Sequence, residues 1–216
     1  MKVILSFLIV LFHLPFCFSQ PSDPAAKKIL DQASAKIKSY KSIQANFTLQ
    51  IQDGQGANQG TKKGTLFMKG NKYVVQITGQ EIYCDGKTIW TFDKSANEVT
   101  ITKVDPSSNT LTPQKLFSNF YDKDFLYKLN GEQKIGSKTV VEIEMTPIDK
   151  TQNFHKVYLY VDKKSHLVSS GKMLDKNNNR YIYTINRLNG NANLTDASFI
   201  FEKSKHPGVE EVNLTQ

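Results

Sequence analysis

The stretch Tyr83-Cys84-Asp85-Gly86-Lys87-Thr88-Ile89-Trp90-Thr91-Phe92 constrains the fold more than any other part of the chain. Two short apolar runs flank Asp85-Gly86, a dipeptide suited to the φ > 0 positions of a tight hairpin turn. The segment therefore reads as two antiparallel strands, with the only tryptophan of the sequence on the second. Runs of the same kind, rich in Tyr, Phe, Val and Ile, recur along the chain. Together they predict a twisted antiparallel sheet with a large apolar surface.

On the N-terminal side, Phe47, Leu49 and Ile51 alternate with polar neighbours, as do Leu66 and Met68. Strands follow at Lys72–Thr78, within the Ile82–Phe92 hairpin, and at Glu98–Val104. The polar, Gly-rich Asp53–Lys63 segment between the first two reads as a turn or loop. A second group covers Tyr127–Glu132, Thr139–Pro147, His155–Val161, Leu167–Leu174, Arg180–Leu188 and Phe199–Lys203. Asp162-Lys163-Lys164-Ser165 and Asp175–Asn179 are hairpin-turn candidates. Strands this close in sequence are expected to meander, each pairing with its neighbour.

One long helical pattern precedes the strands. Ile29, Leu30, Ala33, Ile37 and Tyr40 recur at near-helical spacing within Ala25–Tyr40. Asp23 is placed as N-cap and Pro24 at the first helical position. A short second helix is predicted from Thr112-Pro113, carrying Leu116, Phe117 and Phe120. Another turn is read at Asp122–Leu126. No repeat of constant period and no long linker divides the chain. Residues 20–216 read as a single mainly β domain with helices (α+β), a strongly curved antiparallel sheet with two or three helices against it.

Residues 1–19 have the pattern of a secretory signal peptide. Lys2 supplies the positive start, Val3–Phe16 the apolar run and Cys17-Phe18-Ser19 a small-x-small cleavage site. Pro15-Phe16 before Cys17 is unlike the small residues that lipid attachment requires. Cleavage would leave Cys84 alone, unable to form an internal disulfide and expected as a small buried residue. The formal charge of +8 comes from dispersed lysines rather than a block. A solvated face or attraction to anionic surfaces and acidic partners explains it. Nucleic acid is not expected, since no basic run is interleaved with aromatics.

The residues offer little for catalysis. His155, His166 and His206 do not stand at metal-ligand spacing with another His or Cys, so no metal and no cofactor are expected. Neither a nucleophile elbow nor a phosphate-binding glycine motif is present. Asp53-Gly54-Gln55-Gly56 resembles only the start of a calcium loop. Glu142 and Glu144 could pair for acid–base work, but beside Val141 and Ile143 they read as the solvent side of a strand. Apolar supply is what stands out. A wide or incompletely closed barrel leaves a cavity, and an acyl chain suits one because each buried CH₂ contributes about 0.8 kcal/mol. A filled sandwich core is the competing reading.

Several segments in order resemble the periplasmic outer-membrane lipoprotein carrier family, LolA. They are Ser42-Ile43-Gln44-Ala45-Asn46-Phe47-Thr48, Gly64-Thr65-Leu66-Phe67-Met68-Lys69 and Cys84-Asp85-Gly86-Lys87-Thr88-Ile89-Trp90. Thr112-Pro113 with Leu116 falls where that family has a lid helix. Asp196-Ala197-Ser198-Phe199 and His206-Pro207-Gly208-Val209 are similar to its ending. The resemblance implies an unclosed β-barrel covered by a helical lid. It also implies a non-enzymatic, periplasmic carrier, here expected as a monomer. Such a carrier takes triacylated lipoproteins from an inner-membrane ABC transporter and releases them to an outer-membrane acceptor.

On that basis the cavity lining is expected from Phe47, Leu49, Leu66, Met68, Tyr73, Val75 and Trp90. The lid is expected from Ile37, Tyr40, Leu116 and Phe117. The family carries an Arg-Pro at the end of its second strand, whose arginine holds the lid closed. Here Lys69 stands nearest that position if Tyr73 takes the family's aromatic place, and Gly70 falls there otherwise. Lys69 is thus a candidate latch, weaker than arginine because it lacks the rigid fork of donors. A binding protein or sensor for another amphiphile on the same fold is the alternative function.

Overall fold

The computed structural model describes residues 22–105, 112 and 121–215. Helix α1 (Pro24–Lys38) comes first. Strands β1 (Ile43–Gln52), β2 (Asn58–Lys69), β3 (Lys72–Ile77), β4 (Gln80–Cys84), β5 (Thr88–Asp93) and β6 (Glu98–Lys103) follow. After the four-residue helix α2 (Tyr121–Asp124) come β7 (Phe125–Ile135), β8 (Lys138–Pro147), β9 (Phe154–Asp162), β10 (Val168–Asp175), β11 (Arg180–Gly190) and β12 (Glu210–Asn213).

All the described strands join one twelve-stranded sheet in the order β12-β6-β5-β4-β3-β2-β1-β11-β10-β9-β8-β7. Two meanders are visible in that order, β1 to β6 and β7 to β11, as neighbouring strands in sequence predict. They are joined by the long-range antiparallel pair β1–β11. The short β12 adds in parallel to β6. The two ends, β12 and β7, are not paired to each other, so the sheet is open.

Local chemistry explains the elements. Asp23 caps α1, its carboxylate accepting from the backbone N–H of Ala25 at 2.8 Å and Ala26 at 3.4 Å, and Pro24 opens the helix. The Asp85 loop turns on Gly86 alone, at φ +93°. The loop has three residues instead of the expected two, because the Asp85 carboxylate holds it by accepting from Lys87 and Thr88 N–H, both at 2.8 Å. The expected loop at Asp53–Lys63 is shorter than its composition suggests. The β1–β2 ladder runs out to Gln52↔Asn58, and the Asp53 carboxylate fastens the turn by accepting from Gln55 and Ala57 N–H.

α1 lies across one face of the sheet. Its start is fixed to β7, where Leu129 N–H donates to the Asp23 carboxylate at 3.1 Å and Asp23 N–H donates to Tyr127 O at 3.0 Å. Ala26, Leu30 and Ala33 pack with Tyr127, Ile143, Met145, Val157 and Leu159. One end further on, Ile37 packs with Ile43, Ala45, Leu66 and Met68. Ala26 and Ile37 are separated by about 16 Å along a helix. In a flat sheet β7 and β1 would lie about 24 Å apart. The sheet must therefore curl toward the helix, and α1 is a chord across its concave face.

The convex face is also covered. Phe92, Val99, Phe201 and Val209 form a separate cluster, with Tyr83 and Trp90 against it. The expected strand at Phe199–Lys203 is instead the end of a 3-10 turn (Asp196–Phe199) and an extended crossing. Phe201 and His206 leave the sheet's plane and stack on one another with centroids 4.4 Å apart. Phe92 meets both rings from the sheet.

Two outcomes test this architecture. Ile143 is fully buried under α1, so Ile143→Ala should lower unfolding stability by about 2–5 kcal/mol in urea titration. The hydrogen bond from Leu129, with that from Ala25, holds the Asp23 carboxyl below its ordinary value of 3.8. A carboxyl depressed in the folded state stabilises fully above the ordinary value and loses that contribution as pH falls below it. The protection factors of Ala26–Leu30, which are free of the intrinsic pH dependence of exchange, should fall from pH 4 towards pH 2 more than those in β8, and Asp23→Ala should remove that difference.

Candidate functional site

Six of the seven residues expected to line a cavity sit on the concave face. Cross-strand pairs place them: Ala45↔Leu66 and Leu66↔Val75, and Ile43↔Met68 and Met68↔Tyr73. Phe47, Leu49, Leu66, Met68 and Tyr73 are buried together with Ile37, and Val75 is half-buried against them. Among the described residues they pack on one another. Tyr73 shows how dry the region is, since burial first and the neighbouring Cys84 next push its phenol up to about 12. Cys84 is itself buried and its thiol is raised by burial. Tyr40, the expected lid residue after α1, packs on the same cluster and lies where a side chain on Gly190 would collide with its ring. Leu116 and Phe117 lie outside the described residues.

Trp90 corrects the expected lining. It pairs with Tyr83, which pairs with Val74, so all three point away from the Tyr73–Cys84–Ile89 row. Trp90 packs on the convex face with the Phe201 cluster. Apolar residues on both faces of β4 and β5 make the alternation ambiguous: Tyr83 and Cys84 are neighbours, as are Ile89 and Trp90.

The helix that Lys69 was expected to latch lies outside the described residues, and the contacts described for Lys69 are with the C-terminal segment. Lys69 stands next to Met68 and so faces outward. Its ammonium donates to the Asp196 carboxylate at 3.0 Å and to Leu194 O at 3.3 Å. Lys72 joins the same carboxylate at 2.9 Å. These two lysines hold the Asp196 carboxyl below its ordinary value. The pair thus ties the C-terminal segment to the sheet and makes no described contact with a helix of the concave side.

An open cavity exists elsewhere on the apolar face, and the sequence did not single it out. It has a volume of about 780 Å³, within the range of ligand sites. Leu167, Val168, Ile185 and Leu188 give its apolar wall, and Lys138, Lys163, Lys164 and Arg187 its rim. Leu167, Ile185 and Leu188 are continuous with the Phe47–Tyr73 cluster, and Val168 with the cluster under α1. The cavity therefore opens onto the seam between the two halves of the core.

The catalytic candidates take structural roles. Glu144 lies on the outer side, ion-paired with Lys156 and Lys128, and Glu142 accepts from Asn130 and Gln133. Burial is the largest influence and would raise Glu144, but Lys156, Asn130 and Lys128 together hold the carboxyl below its ordinary value. His155 faces the backbone carbonyl of Asp175. Among the described residues no group of His, Cys, Asp and Glu could hold a metal ion, and no helix is long and apolar enough to cross a membrane.

Comparison with known proteins agrees with this architecture. A model of the family described as outer membrane lipoprotein carrier protein LolA matches residues 38–202. An outer-membrane lipoprotein carrier protein of Cupriavidus taiwanensis is 30% identical, over 86% of this chain and 89% of its own length. One from Francisella tularensis is 29% identical, over 68% of this chain and 74% of its own. The crystal structure of an uncharacterised conserved protein from Thermus thermophilus shares the fold, with a TM-score of 0.60 at 14% identity over 88% of this chain and 99% of that one. The matched span runs from the end of α1 through every strand of both meanders to the convex-face crossing, and on it the chain belongs to the LolA family of outer membrane lipoprotein carrier proteins.

Proposed function

We propose that this protein is a periplasmic carrier that holds the acyl chains of lipoproteins against its concave face, beneath α1. The observation that carries this reading is a single apolar face, continuous across two clusters of an open sheet and reached through the 780 Å³ cavity. Family membership supports the cargo class, since the relatives are named as lipoprotein carriers. No covalent step is needed. The protein exchanges one set of apolar contacts for another, and each CH₂ removed from water contributes about 0.8 kcal/mol.

The packed state of Phe47, Leu66, Met68 and Tyr73 gives that exchange its balance. Acyl chains must part these side chains from Ile37 and displace α1, so loading is opposed by the contacts it breaks. Binding of moderate strength follows, which suits a carrier that must also unload. In this reading the protein receives cargo from an inner-membrane ABC transporter, acts as a monomer and passes cargo to an acceptor at the outer membrane.

Mass spectrometry of material co-purifying from the native periplasm tests the cargo class. Triacylated peptides are the expected result, whereas free lipids alone would point to a binding protein for another amphiphile. The site is tested by Ile185→Glu. A carboxylate in the apolar wall costs several kcal/mol unless it reaches water. The variant should stay folded by circular dichroism, yet release lipoproteins from spheroplasts at least about tenfold less. Undiminished release would remove the cavity from the proposal.

A further inference from the structure

The 780 Å³ cavity lies at a split in the sheet. The β10–β11 ladder ends at Ser170↔Thr184, yet β11 continues to Gly190 on β1. Ile185–Gly190 therefore has no strand partner on its β10 side among the described residues. Four cations stand around the opening, Lys138, Lys163, Lys164 and Arg187. Lys163 is paired with Glu132. Asp162, the acidic residue of the lining, has one carboxylate oxygen engaged by the N–H groups of Lys164 and Ser165 and by the Ser165 hydroxyl. Lys164 and Arg187 have no ion-pair partner among the described residues. Ser169 also lines the opening, and its hydroxyl oxygen is buried with no hydrogen-bond partner.

We infer that this split is the exit for the cargo's polypeptide and that its rim selects cargo with acidic residues directly after the acylated N-terminus. The inference rests on the carrier reading above. Chains held in the apolar wall leave their attached peptide to cross the wall somewhere. An uncovered strand edge pairs with an extended backbone, cations at the rim attract carboxylates, and a buried orphan hydroxyl wants a polar partner. All three coincide at this opening. A flat anionic membrane would need its cations spread over a plane, whereas these converge on the mouth of a cavity.

The test compares binding of two synthetic triacylated peptides to the full mature protein, one with Asp-Glu-Asp after the acylated cysteine and one with Ser-Ser-Ser. The acidic peptide should bind about three- to tenfold tighter at low salt, the effect of one or two partly exposed charge pairs, with the gap closing at high salt. The ratio should fall to near one in Lys164→Gln/Arg187→Gln and persist in Lys164→Arg/Arg187→Lys. Equal binding of both peptides by the natural protein would overturn the selection while leaving acyl binding intact. Failure of both peptides to bind would overturn this inference together with the carrier reading. If the ratio is one, but the glutamine variant alone loses co-sedimentation with phosphatidylglycerol vesicles, the rim serves the membrane and the inference is wrong.

Discussion

The placement of α1 as a chord across the concave face is the constraint on which the rest depends. The sheet is open, so nothing in its hydrogen-bond ladder fixes how tightly it curls. The helix does this from both ends. Asp23 binds its start to the backbone of β7, and Ile37 and Tyr40 seat its far end over β1 and β11. Removing either attachment would leave an apolar surface spanning both core clusters facing water. In the carrier proposal the same two attachments set the resistance that a guest must overcome, so stability and capacity to bind would be governed by one set of contacts.

The convex face has a different task. Lys69, Lys72 and Asp196 hold down the segment that carries Phe201 and His206 onto Phe92 and Trp90. Behind it, Glu81 is buried among a Tyr83 hydroxyl at 2.6 Å and the Lys94 ammonium at 2.7 Å. Burial alone would raise its carboxyl, but these partners hold it below its ordinary value. Because both faces are covered by parts of the chain, displacement of α1 in the carrier proposal would leave the other face of β3 to β6 covered. The cover tied down by Asp196 and the cover that the carrier proposal displaces are thus on opposite sides.

Much of this was legible in the sequence. Cap and helix were written in Asp23-Pro24 and the spacing of Leu30, Ala33 and Ile37, and most strand positions in simple alternation. Alternation says which residues share a face but not which face is inner when both are apolar, and Trp90 was misplaced for that reason. The β1–β11 pair was invisible because its partners are far apart in sequence. Lys69 was read from the latch position of the family it resembles, while its partner Asp196 stands 127 residues further along the chain, where no local pattern could pair the two.

The cavity was missed for a more specific reason. Ala45 opposes Leu188 and Phe47 opposes Ile185, so β11 carries one extra residue, Asn186, at the register shift. Ile185 and Leu188 are three apart and in a regular strand would point to opposite faces. The bulge brings both onto the concave side. A bulge also bends its strand and increases the local twist, and β10 parts from β11 at Thr184, one residue before Ile185. Asn186 fastens the distortion by donating to the Thr48 hydroxyl at 2.8 Å. One additional residue thus turns two apolar side chains inward and coincides with the parting of the sheet beside them. The opening is in consequence a product of register, which no reading of composition or periodicity along β11 alone could find.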